Sequence, residues 1–227
     1  MTPPDAGFAD QVRALRFWDG RGTVRLVEAD IARGAMLLER LAMHESLLAR
    51  PVAEAIPLLG QVMRRLAVAG PSDAPSTTSL VRDRIPELES DWHRLREPFD
   101  RSFLAQALET AVRLSETDSD LAANGDLHSA QVLRGEREPW LTVDPVLMRG
   151  DIECDLARVL WTRIDEMRDA PDILEHFDAA VVEGTLDRDR ARNWVLFRAV
   201  DYWLWGLDAG LTEDPPRCAR LSSAFAA

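Results

Sequence analysis

Residues Asp187 to Leu207 contain Trp194, Val195, Phe197, Val200, Trp203 and Leu204, a set that leaves little polar face on a helix. Such a segment predicts a long central helix, and a chain built round it needs other helices to cover it. Helical spacing recurs elsewhere. Phe8, Val12, Leu15 and Trp18 predict a first helix that Gly20 ends. Val52, Ile56, Leu59, Met63 and Leu66 share a face, with Pro57 expected to start a new helix or kink the old one. Leu88, Trp92 and Leu95, then Phe103 to Leu114, read as two packed helices. Asp155 to Met167 reads as an amphipathic helix, and Pro215-Pro216 begin a short last one.

Strand signals are fewer. Gly22 to Glu28 alternate, Asp30 to Gly34 form a turn, and Ala35 to Leu41 is apolar, which predicts a β-hairpin. Short strands are expected at Leu121 to Ala123, Gln131 to Arg134 and Trp140 to Val143. Gly70 to Thr78, rich in Pro, Ser and Thr, is the clearest linker. The pattern as a whole predicts an α+β chain that is mainly helical.

A chain of 227 residues with 46% apolar side chains can bury a sizeable core. Its net charge of -12 argues against nucleic acid and against anionic membranes, both of which need a basic footprint. Nothing at Met1 to Phe8 resembles a leader, and no segment is long and apolar enough to cross a bilayer. The two cysteines, Cys154 and Cys218, lie far apart without metal-type spacing, so a reducing cytoplasm is the expected location. The chain has no lysine. Its basic groups are all arginines, suited to clamping anions and poor as proton acceptors. Arg21, Arg25 and Arg149 are candidate phosphate clamps.

Between Gly125 and Asp155, carboxylates recur where strands end. Asp126 follows one short apolar strand and precedes another, which puts it on an exposed loop. Asp144 ends the next strand, where a hard oxygen ligand can face the same cleft. Asp151 and Asp155 then lead into a helix, with Asp155 near the positive end of its dipole. Phosphoryl transfer needs a carboxylate beside the acceptor hydroxyl, divalent metal on the phosphates, and fixed positive charge. Asp126 and Asp144 are candidates for the first two.

The motifs here are Asn124-Gly125-Asp126-Leu127-His128-Ser129-Ala130-Gln131, then Arg137-Glu138-Pro139-Trp140-Leu141, then Val143-Asp144-Pro145, then Gly150-Asp151 with Asp155-Leu156-Ala157. In this order and spacing they resemble the aminoglycoside phosphotransferase family, most closely its streptomycin and hydroxyurea phosphotransferase branch. Leu15 to Gly22, Leu37 to Leu41 and Asp201 to Gly206 share the likeness, so nearly the whole chain is covered.

The resemblance implies a protein-kinase-like fold, with residues 1–41 as a shortened N-terminal lobe and 42–227 as a helical C-terminal lobe. It implies Asp126 as the base or orienter of the acceptor hydroxyl and Asp144 as the principal magnesium ligand. Gln131 stands where the family keeps an asparagine for the metal, its amide oxygen one methylene further out. Glu39, Arg40 and Leu41 correspond to the hinge that bonds adenine, while His128, Asp151 and Asp155 support the loop. ATP and Mg2+ are the implied cofactors, and a small hydroxyl-bearing molecule the implied partner. The family's glycine-rich hairpin and strand lysine have no counterpart in this chain. A homodimer formed through exposed strand edges is expected. The departures keep two alternatives open: a degenerate kinase fold acting as a binding or accessory protein, and a cleft recruited to chemistry other than phosphoryl transfer.

Overall fold

The structure is a computed structural model, and it describes residues 6–117 and 119–226. The N-terminal tail, residues 1–5, lies outside the described part. Helix α1 (Ala6–Trp18) turns Val12, Leu15 and Trp18 inward, and each is at most 3% exposed. Trp18 Nε1 also donates to Leu66 O at 3.0 Å, so the indole is satisfied as it is buried. Burying side chains of this size stabilises by about 1.5–3 kcal/mol each, which fixes the rotation of α1 about its own axis.

The expected hairpin is present, with its first strand displaced. β1 (Leu26–Asp30) and β2 (Ala35–Leu38) pair antiparallel around a turn that ends on left-handed Gly34. Residues 22–24, expected within that strand, instead run beside residue 142. Val24 N donates to Thr142 O, and Thr142 N to Gly22 O. β3 (Ala42–Ser46), β5 (Val132–Arg134) and β6 (Trp140–Thr142) form a three-stranded sheet in the order β3-β5-β6. β4 (Ala122–Ala123) pairs with β7 (Met148–Arg149), a two-residue strand too short to leave a sequence pattern.

Among the described residues, five of the eight helices match the spacing closely: α1, α2 (Val52–Leu66), α4 (Arg101–Leu114), α7 (Arg188–Asp208) and α8 (Asp214–Phe225). α3 (Thr77–Arg94) starts eleven residues before Leu88 and takes in Thr77 and Thr78 of the expected linker. Pro57 neither starts nor breaks a helix. It sits in the second turn of α2, which continues through it without the N–H that would have bonded Ala53 O. The helix expected over 155–167 is only α5 (Leu156–Trp161), followed by a 3₁₀ turn at Ile164–Glu166.

α6 (Ala170–Gly184) escaped the sequence reading, although Ile173, Phe177 and Val181 recur at every fourth position and are buried. A Cβ on Gly60 of α2 would lie 2.6 Å from Ala180 O, so the two backbones approach where larger residues would separate them. α7 packs against α3, α4, α5, α6 and α8, and Trp194, Val195 and Phe197 are fully buried. The central position expected of it follows from that cover. Among the described residues no helix is long and apolar enough to cross a membrane, and both cysteines are buried and free.

Candidate active site

The β5-β6 register brings the site together. Val132 pairs with Thr142, and Val143 N donates to Gln131 O at 2.9 Å. The strand pairing stops there, where Ser129–Gln131 forms a 3₁₀ turn, and Asp144 is the residue after Val143. The 124–131 loop is tied to the 144–147 segment from its other end as well: Asn124 Oδ1 accepts from Val146 N at 2.7 Å. Asn124 is 1% exposed, and this bond is its measurable task.

Asp126 sits between an amide and a guanidinium. Gln131 Nε2 donates to its Oδ2 at 3.2 Å, and Arg158 Nε lies 2.8 Å from its Oδ1 in an ion pair. The Nε–H is not aligned for a hydrogen bond, so the Arg158 contact is one of charge. His128 is more than half buried, and its pKa is lowered mainly by that burial, then by Arg158. The charges of Asp126 and Asp144 both pull in the opposite direction. At neutral pH this imidazole is uncharged.

Asp151 is fully buried and doubly held. Trp194 Nε1 donates to Oδ2 at 2.8 Å and Arg190 Nη1 to Oδ1 at 3.1 Å, while its own N–H donates to Thr77 Oγ1 at 3.0 Å. Asp155 stands at the N-cap of α5, yet its carboxylate caps nothing in that helix. It accepts instead from Leu127 N at 3.2 Å, and burial raises its pKa to about 7. The short loop 124–127 is thereby pinned to α5.

The residues expected at the hinge form the linker between β2 and β3. Glu39 takes Arg137 Nε and Nη2, both at 3.1 Å, and its N–H donates to Arg25 O. Arg40 and Leu41 line a concavity of about 630 Å³ with Met43, His44, Arg134 and Gly135. Gln131 and Gly135 flank β5, and Leu41 packs on Gly135, so the hinge candidates lie at the opposite end of that strand from Gln131. Arg21, expected as a phosphate clamp, is turned to Arg65 O.

Gln131 decides whether a divalent cation fits. It is 8% exposed, its Nε2 is used by Asp126, and its Oε1 is buried with no partner. A buried amide oxygen left bare is costly unless a donor or cation reaches it. Magnesium needs one or two carboxylates plus neutral oxygens and phosphates, which matches Asp144 with Gln131. Among the described residues no group of three or more His, Cys, Asp or Glu is placed to hold a metal, so the all-carboxylate alternative is absent.

The family described as aminoglycoside/hydroxyurea antibiotic resistance kinase matches residues 6–210. The chain belongs to that family. It is 34% identical to streptomycin 6-kinase of Streptomyces griseus over 218 residues, 93% of this chain and 71% of that protein. It is also 34% identical to hydroxyurea phosphotransferase of Kitasatospora aureofaciens, covering 96% of this chain and 64% of the relative. The chain thus spans about two thirds of the length of these family members. Among solved structures, aminoglycoside phosphotransferase APH(4)-Ia, in a ternary complex with AMP-PNP and hygromycin B, superposes with a TM-score of 0.65 at 15% identity. That match covers 96% of this chain and 83% of the other. Choline kinase LicA from Streptococcus pneumoniae gives 0.63 at 12% identity. These likenesses establish a mainly helical protein-kinase-like fold, as the motifs implied.

Three site residues escaped the sequence reading: Gln11, whose Nε2 donates to Asp144 Oδ1, Arg158 beside Asp126, and Thr77 beneath Asp151. Each is distant in sequence from its partner. Only Gln11 left a trace, as a polar residue at i−4 from Leu15 on the inward side of α1.

Proposed function

We propose that this protein transfers the γ-phosphate of ATP to a hydroxyl of a small antibiotic-like molecule, with Asp126 aligning the acceptor and Asp144 and Gln131 holding Mg2+. The observation that carries the reading is the bare, buried Oε1 of Gln131, a residue whose backbone carbonyl takes the N–H of Val143 next to Asp144 and whose own amide donates to Asp126. Nucleotide complexes among structures of the same fold are consistent with it.

In this reading the acceptor O–H donates to Asp126, whose carboxylate takes the proton as the new O–P bond forms. The bond from Pγ to the β-phosphate oxygen breaks, and ADP leaves with the electron pair. Asp144 and Gln131 would hold magnesium, which would supply positive charge to offset the charge developing on the phosphates. Arg158 and Gln131 hold Asp126 from two sides, so the carboxylate is oriented before the acceptor arrives. The neutral His128 adds no positive charge that would repel the cation. The hinge at Glu39 to Leu41 is proposed to hold the base of the nucleotide, one strand length from the metal residues. Residues 1–41 and 42–227 are proposed as its two lobes.

The test is transfer of label from γ-labelled ATP to streptomycin or hydroxyurea in the presence of Mg2+. Acceptor-dependent ADP formation, reduced about 10²–10⁴-fold by Asp126→Asn, is expected. ADP formation that ignores both acceptor and Asp126 would overturn the reading. We also infer a homodimer, because β2 is uncharged, has a free edge, and leaves Leu37 exposed beside Val27. Sedimentation at micromolar concentration should show it, and a monomer alone would refute it.

A further inference from the structure

Asp144 is fixed at its backbone. It follows the β6 ladder, precedes Pro145, and Val146 is held by Asn124. Its side chain is not. On the side of α1 the carboxylate faces a cavity of about 630 Å³, bordered by Phe8, Gln11, Asp144 and Leu147, so packing there does not restrict its rotamer. Among the described residues one hydrogen bond alone reaches the carboxylate, from Gln11 Nε2 to Oδ1 across 133 residues of sequence.

The donor is set by the fold. Gln11, Leu15 and Trp18 follow one another at i, i+4 and i+7, so they share a helix face. Leu15 and Trp18 are buried, and Trp18 is bonded to Leu66 O. The helix cannot turn Gln11 away without exposing both. An arginine in this place would cancel the negative charge of Asp144, whereas an amide orients the carboxylate and leaves the charge intact. One oxygen is taken and Oδ2 stays free.

We propose that Gln11 is a positioning residue for metal binding: it selects the rotamer of Asp144 that points Oδ2 at the cation. This rests on the proposed metal site, and it makes α1 a mechanical support of that site. Without the bond, Asp144 spreads over its staggered wells, and the apparent affinity falls by the lost fraction. A weakening of roughly three- to tenfold follows.

The experiment compares the wild-type chain with Gln11→Met, which matches the length but lacks the donor, and with Gln11→Leu as a second variant. Both residues are good helix formers on a partly exposed position. Mn2+ binding is followed by the paramagnetic signal of the free ion in the presence of ADP, and ADP binding is measured again in EDTA. The expected result is a three- to tenfold weaker Mn2+ affinity in both variants, with metal-free ADP affinity unchanged. Equal Mn2+ affinity in variants and wild type would overturn the role of Gln11 alone. An equal loss of ADP affinity in EDTA would show a general structural role and also overturn it. A wild-type chain that binds no Mn2+ with ADP would overturn the metal site itself.

Discussion

Replacing Asp155 by asparagine should make the protein's stability less sensitive to pH, in a defined window. The Asp155 carboxyl is fully buried, and that burial raises its pKa to about 7 from an ordinary 3.8. Between these values the folded protein keeps a proton at this site that the unfolded chain has released. Stability therefore falls as pH rises from about 4 to about 7, and the contribution is intact below the unfolded value. Three units correspond to about 4 kcal/mol, as an order of magnitude. Asparagine is neutral throughout and keeps an oxygen for Leu127 N. Denaturant unfolding of both proteins from pH 4 to pH 8 isolates the effect, because the buried Glu153, whose pKa is also raised, is common to both. The wild type should lose stability relative to Asp155→Asn by about 1.4 kcal/mol per pH unit across the window. A difference that is flat with pH would mean that Asp155 ionises normally, and the account of a buried loop brace would fail.

Gly150→Ala should destabilise by about 2 kcal/mol or more, since φ is +139° and a new Cβ would lie 2.0 Å from Thr77 Oγ1, the atom that accepts from Asp151 N; thermal unfolding checks it, and an unchanged Tm refutes it. Trp194→Phe should cost about 1–3 kcal/mol by stranding Asp151 Oδ2 in the core, beyond the loss of packing; Asp151→Asn in the same background should then show coupling in a double-mutant cycle, and simple additivity would refute the shared bond.

The sequence made the helices legible where apolar spacing is the sole cause of burial, as in α1, α4 and α7. α6 escaped the reading although Ile173, Phe177 and Val181 carry the same spacing; what no spacing shows is its close approach to α2, where Gly60 meets Ala180. Apolar spacing over-extended the helix after Asp155, because the residues beyond Trp161 leave the helical path while staying buried: Arg163 is 2% exposed and donates to Leu47 O and Arg50 O. The loop carboxylates could be named because motifs keep them within thirty residues of one another. Their supports could not, since Gln11, Thr77 and Arg158 reach them only through tertiary packing.

The central claim is that Asp144 and Gln131 face one metal position beside Asp126. It is tested most directly by crystals grown with Mn2+ and ADP and measured at the manganese absorption edge. The account predicts an anomalous peak roughly 2.0–2.4 Å from both Asp144 Oδ2 and Gln131 Oε1, lost in Asp144→Ala. A peak bound elsewhere, or nucleotide seated with no metal at these two oxygens, would contradict it.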